Sequence, residues 1–247
     1  MQSPGSQAKV SSQKRVLMVV ASPAVSTTLG GPVGFWASEL VHPYMELTEA
    51  GYAVELASPQ GGRVTPDALS DPRDPSGYSA HDVLSLGFLS SPRHAALLET
   101  TRKLSDVRVE DFDAILVCGG QAPMFTFRED LALRALLRGF LEAGKVTAAL
   151  CHGTAALLDV TLSDGRPLLE GRTLTGFANV EEDAADQLVG RKVMPFRIED
   201  VARERGANFV RAGAWKPFAV RDGQLITGQQ QNSGRETARL VLQALGH

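Results

Sequence analysis

The chain has 247 residues, 43% hydrophobic and 21% charged, with a net charge of −3. Those proportions exclude a disordered chain, which carries fewer apolar and more charged residues. The slight acidic excess argues against a nucleic-acid partner, whose binder usually shows a basic excess or stripe. No apolar run reaches the ~18 residues of a membrane span, so no membrane partner is expected either.

Residues 1–13 are polar and read as a disordered tail ahead of a single domain over 14–247. Lys14 and Arg15 precede an apolar run too short for the ~7–15 residues of a signal-peptide core, so Arg15–Ala21 reads as a buried strand. A second such strand follows Gly51 and Tyr52 and stops at Ser58-Pro59. Residues 59–93 are rich in Pro, Gly, Asp and Ser and form the bulk of a surface insertion at about 59–100. Ala114–Cys118 is a third strand, and Val146–Leu150 a fourth. Between them, Leu131, Leu133, Leu136, Leu137, Phe140 and Leu141 share one helix face that Gly144 stops. Another helix starts at Ala155–Leu158. Short strands are expected at Arg172–Thr175 and Phe209–Ala212, a hairpin around Asp222-Gly223, and a last helix over 233–245. Apolar strands alternating with amphipathic helices predict an α/β fold with a doubly wound, mostly parallel sheet and helices on both faces.

The fourth strand ends in Ala149-Leu-Cys151-His152-Gly153. A cysteine between strand and helix, flanked by small residues, has the layout of a nucleophile elbow. Unpaired N–H groups at the start of a helix stabilise a thiolate there. The carboxyl end of a parallel strand is also where open α/β sheets place ligands. The alternative is a buried structural cysteine. Cys118, inside an apolar strand, fits that alternative better. Two cysteines are too few for a disulfide framework and suit a reducing, cytoplasmic setting. Gly119-Gly120 after the third strand lets backbone approach a ligand and can offer N–H groups to an oxyanion, or can be a plain tight turn.

Several segments in order carry a resemblance over roughly residues 15–245. They are Gly34-Phe-Trp-Ala-Ser-Glu39-Leu-Val-His42-Pro43, Ala50–Gly62, Asp111–Val117, Ala149–Gly153, Gly165–Gly171, Leu174–Phe177 and Asp222–Gln229. With them the chain resembles the ThiJ/PfpI superfamily, related to class I glutamine amidotransferases, and within it the glyoxalase III and heat-shock chaperone branch. The resemblance implies a flavodoxin-like domain and a cofactor-independent, cysteine-based lyase converting methylglyoxal to lactate without glutathione. It places Cys151 on the nucleophile, His152 on its basic partner and Glu39 on a carboxylic acid leaning on the sulfur. Glu182 falls on the acid that orients the histidine, with Glu181 the neighbouring candidate. Gly120 and His152 fall on the backbone donors of the oxyanion hole. It further implies a homodimer.

For this chemistry Glu39 must be protonated at neutral pH, held so by desolvation. Spacing alone would leave Glu39 a solvated helix-face carboxylate. One departure concerns the pocket: Gln121-Ala122 stand where the branch usually has His-Gly, and nearby Met124 and Phe125 make that wall apolar. Gln121 can hydrogen-bond but cannot act as an acid or base at neutral pH. Trp215 is a further candidate for the pocket. A second departure is Gln229-Gln-Gln-Asn232, where the family often has Asn-Pro. His42 reads as core or capping, and His81, His94 and His247 lack metal-ligand spacing, so no metal is expected. Neither a Gly-x-Gly-x-x-Gly nor a Walker loop is present, so no nucleotide cofactor is expected. The expected partner is a small carbonyl or another small electrophile. Two other readings remain: a Cys-dependent hydratase or hydrolase on a more apolar electrophile, and a stress-response holdase or peroxide sensor built on a readily oxidised thiol.

Overall fold

The computed structural model describes residues 13–247. The tail expected over 1–13 lies outside them except for Gln13, whose side chain donates to Gly51 O at 2.8 Å. Seven strands form the central sheet. Across it they run Ala219–Asp222, Leu225–Gly228, Val146–Leu150, Ala114–Val117, Arg15–Val19, Ala53–Ser58 and Arg102–Lys103. Only the hairpin pair Ala219–Asp222 and Leu225–Gly228 is antiparallel; every other neighbouring pair is parallel. Val16–Val19, Ala114–Val117 and Val146–Leu150 are buried throughout. That is why they read as unbroken apolar runs, since helices cover both faces of a parallel sheet. Gly223 turns the hairpin at φ 60°.

The strand order reverses direction at Arg15–Val19. From there the chain steps first to Ala53–Ser58 on one side, then to Ala114–Val117 on the other. Such a reversal opens a crevice at the carboxyl ends of the strands. Two strand ends beside it carry Gly119-Gly120 and Cys151. A helix over Ala37–Glu49 brings Glu39 to the same edge. Pro43 lies inside that helix and removes the N–H that would have bonded the Glu39 carbonyl.

The helix expected from Ala155 starts earlier and is tighter: Cys151–Leu157 is a wholly buried 3-10 helix. The segment 59–100 is more than a surface excursion. It carries helices at Val83–Ser90 and Pro92–Ala95 and sends the buried Asp67 to the site. Two helices that the pattern did not announce, Asn179–Val189 and Ile198–Glu204, follow Phe177.

Candidate active site

Cys151 has φ 55°, a left-handed backbone that a side chain adopts only where the surroundings enforce it. The enforcement is steric. Gly153 packs so closely on the neighbouring strand Ala114–Val117 that a Cβ there would sit 2.7 Å from Val117 O. A Cβ on Gly119 would meet Glu39 Oε2 at 2.5 Å and Cys151 Cβ at 2.9 Å. Gly120, at φ 115°, would drive one to 2.4 Å from Trp36 N. The adjacent glycines therefore let the acid, the sulfur and the turn share one small volume.

Glu39 is fully buried. Its Oε2 accepts from Gly119 N–H at 2.9 Å. Oε1 has no hydrogen-bond partner, and the neighbouring Cys151 side chain pulls the carboxyl down. Desolvation raises the Glu39 carboxyl to about 8, against smaller lowering by Cys151 and the Gly119 N–H, so it is largely protonated at neutral pH.

The thiol moves opposite to the expectation drawn from the helix start. Burial pushes Cys151 up, a negative charge on Glu39 pushes it further, and the backbone N–H groups of His152 and Gly120 pull it back. The push from Glu39 operates only when that carboxyl is ionised. With Glu39 protonated that push is absent, and the His152 and Gly120 N–H groups remain to favour the thiolate. Acid and thiol thus titrate as a coupled pair.

His152 is buried and its Nε2 lies 3.0 Å from Glu182 Oε1. A hydrogen bond from Nε2–H leaves Nδ1 with a free lone pair. The Phe177 ring packs on the imidazole, centroids 4.1 Å apart. Glu181, the neighbouring candidate, does something else. Its Oε1 accepts from Trp215 N–H at 3.1 Å and Gln229 Nε2 at 2.6 Å, and its Oε2 accepts from Ala178 N–H at 3.1 Å. It braces Trp215, itself at φ 59°, whose carbonyl accepts from Asn232 Nδ2 at 3.1 Å. The unusual Gln229–Asn232 segment is therefore the anchor of the Trp215 loop.

Asp67 escaped the sequence analysis. It is buried, and its two oxygens accept from Gly34 N–H at 2.8 Å and Gln121 N–H at 2.7 Å. It ties the Gly119–Gln121 turn to the segment leading into the Glu39 helix. Desolvation raises it to about 6 despite both hydrogen bonds. No spacing rule links Asp67 to residues 54 positions further on, so no local signal could have found it.

Cys151, His152, Gly120, Gln121, Glu182 and Trp215 line one cleft of about 190 Å³. Ala122, Met124 and Phe125 do not line it. Ala122 N–H bonds Gly34 O at 3.0 Å, which starts the short helix Pro123–Thr126 and turns that segment away. Ala122 and Met124 are buried in the core, and Phe125 opens on a separate cleft beside Arg128. The walls instead come from Leu29, Leu69, Phe177, Val189 and Met194. His42 pairs with Asp82 at 3.0 Å in a neighbouring cleft. Among the described residues no three His, Cys, Asp or Glu side chains gather as a metal site.

This arrangement of elbow, glycine turn and buried acid is housed in a recognisable protein class. The DJ-1/PfpI family model matches residues 32–244, and the chain belongs to that family. Among its relatives, "Glyoxalase 3" of Candida albicans is 28% identical over 224 residues, covering 87% of this chain and 91% of the relative. "Glutathione-independent glyoxalase HSP31" of Saccharomyces cerevisiae is 27% identical over 237 residues, covering 94% of this chain and 98% of the relative. The crystal structure of glyoxalase III from Candida albicans superposes with a TM-score of 0.78 at 26% identity, covering 94% of this chain and 97% of that one.

Proposed function

We propose that this protein is a cofactor-independent cysteine lyase that adds water across a small α-oxoaldehyde, methylglyoxal to lactate in the simplest case, without glutathione. The observation that carries the reading is the fully buried Glu39 carboxyl, pushed up by desolvation and packed with Cys151 around Gly119. A similarity to relatives named glyoxalase over nearly the whole chain supports it.

The Cys151 sulfur bonds the aldehyde carbon, and the carbonyl electron pair moves to oxygen beside the N–H groups of Gly120 and His152. The thiol proton passes through His152 Nδ1 to that oxygen, which completes a neutral hemithioacetal and leaves Nδ1 free again. His152 Nδ1 then takes the proton from the former aldehyde carbon, giving an enediol, with Glu39 supplying and recovering a proton at oxygen. Protonation of the adjacent carbon leaves a thioester. Water attacks it, the carbon–sulfur bond breaks, and a 2-hydroxy acid leaves with the thiol restored. The net change is one water added, with no external oxidant or reductant. Glu182 keeps the proton on His152 Nε2, so that Nδ1 stays the base.

Lactate formation from methylglyoxal in glutathione-free buffer tests the reading. Activity is expected in the wild type and is expected to vanish in Cys151→Ala; full activity in that variant overturns the mechanism. The proposed form is a cytoplasmic homodimer, supported by the family resemblance and by two unpaired cysteines; sedimentation of the purified protein as a monomer would contradict the dimer.

A further inference from the structure

The helix Asn179–Val189 is built inside out. Its buried residues are Glu181 and Glu182, whereas Leu188 is 81% exposed and Val189 47% exposed. A helix ordinarily turns its apolar stripe to the core. Here the acids serve the site, and the apolar end lies along the cleft that leads to Cys151. Tyr78 and Leu69, also exposed, line the same cleft from the 59–100 segment.

The lining is polarised. Gln121, His152, Glu182, Gln231 and Tyr78 bring polar groups beside Cys151 and Gly120, while the other side chains are aliphatic or aromatic. Among the described residues no Lys or Arg side chain lines the cleft, so an anionic substituent such as a phosphate or carboxylate finds no counter-charge from them. A cleft of about 190 Å³ is far larger than a methyl group fills. The larger cleft beside it, about 490 Å³, shares Trp36, Tyr78 and Trp215 but mixes them with Ser38, His81, Asn232 and the His42–Asp82 pair.

Resting on the lyase reading above, we propose that the preferred substrate is an α-oxoaldehyde whose second substituent is apolar, uncharged and about the size of an aromatic ring. Its carbonyl end lies at Cys151 and its substituent lies along Phe177, Met194, Leu188 and Val189. The reaction stays the same: sulfur adds to the aldehyde carbon, the proton moves to the neighbouring carbon, and water releases the 2-hydroxy acid.

The test compares kcat/KM for phenylglyoxal and methylglyoxal in the wild type and in Leu188→Gln and Val189→Asp, both at exposed positions where folding is checked by thermal melting. The wild type should favour phenylglyoxal by about tenfold or more, the gain from withdrawing a ring from water. The ratio of the two should fall at least about fivefold in Val189→Asp, and less in Leu188→Gln. A wild-type ratio near one, or a high ratio that neither variant lowers, overturns the inference and leaves the lyase reading standing. Turnover of neither aldehyde overturns both.

Discussion

The two cysteines sit at the ends of neighbouring strands, and burial with the charge of Glu39 pushes both thiols upward. Yet they inhabit different chemistry. Cys118 is completely enclosed as its chain continues into the glycine turn. Cys151 has been bent to φ 55°, reaches the cleft, and receives the N–H groups of His152 and Gly120. Burial alone therefore does not separate the inert thiol proposed for Cys118 from the nucleophile proposed for Cys151. The backbone bend and the donors it aims at sulfur do.

The sharpest way to break the comparison is to remove each sulfur, leaving the β-carbon as a methyl. Cys151→Ala should lower lactate formation by more than about 10³-fold. Cys118→Ala should leave kcat/KM within about twofold and cost about 1 kcal/mol of stability. Comparable losses in both would mean that the bend confers nothing.

Glu39→Gln comes next. An amide can still donate to sulfur but cannot carry a proton, so kcat/KM should fall by about 10²–10³. Stability should move the other way. A carboxyl raised from 4.5 to about 8 in the fold favours folding most below pH 4.5, and that advantage is lost as pH rises towards 8. The neutral amide avoids the loss, so denaturant unfolding should show the variant more stable at pH 7 by on the order of 3 kcal/mol, less at pH 5.

The adjacent acids should separate kinetically. Glu182→Gln disturbs the proton position on His152 and should lower kcat at least about tenfold. Glu181→Gln loosens Trp215 and should act chiefly on KM, by about threefold to tenfold. Smallest of all is Asp67→Asn. The amide N–H groups of Gly34 and Gln121 would face one acceptor oxygen instead of two, and kcat/KM should drop severalfold at pH 7. Protonation of Asp67 as pH falls through about 6 weakens the same contacts, so the variant should also lose an acid limb there.

The sheet was legible because its strands are buried on both faces, and Val146–Leu150 announces itself by apolar composition alone. The elbow was legible because Cys151 stands between that strand and a glycine. Glu39, Glu182 and the likeness to glyoxalases came from motif resemblance; periodicity gives no sign of them. The Asn179–Val189 helix was invisible for a physical reason: it buries carboxylates and exposes Leu188, which inverts the pattern on which helix reading depends. The pocket wall was misplaced because Ala122, Met124 and Phe125 are neighbours of Gly120 in sequence, whereas the true wall is assembled from residues as far apart as Leu29 and Met194.

The most direct measurement is the pH dependence of Cys151 alkylation by iodoacetamide, followed by intact mass, in wild type and Glu39→Gln with Cys118 replaced by alanine in both. If protonated Glu39 supports the thiolate and ionised Glu39 opposes it, the two rates agree within a fewfold at pH 6–7. Above about 8 the wild type falls behind as its carboxylate appears. Curves that coincide from pH 6 to 10 would contradict the coupling of acid and sulfur on which the proposed chemistry depends.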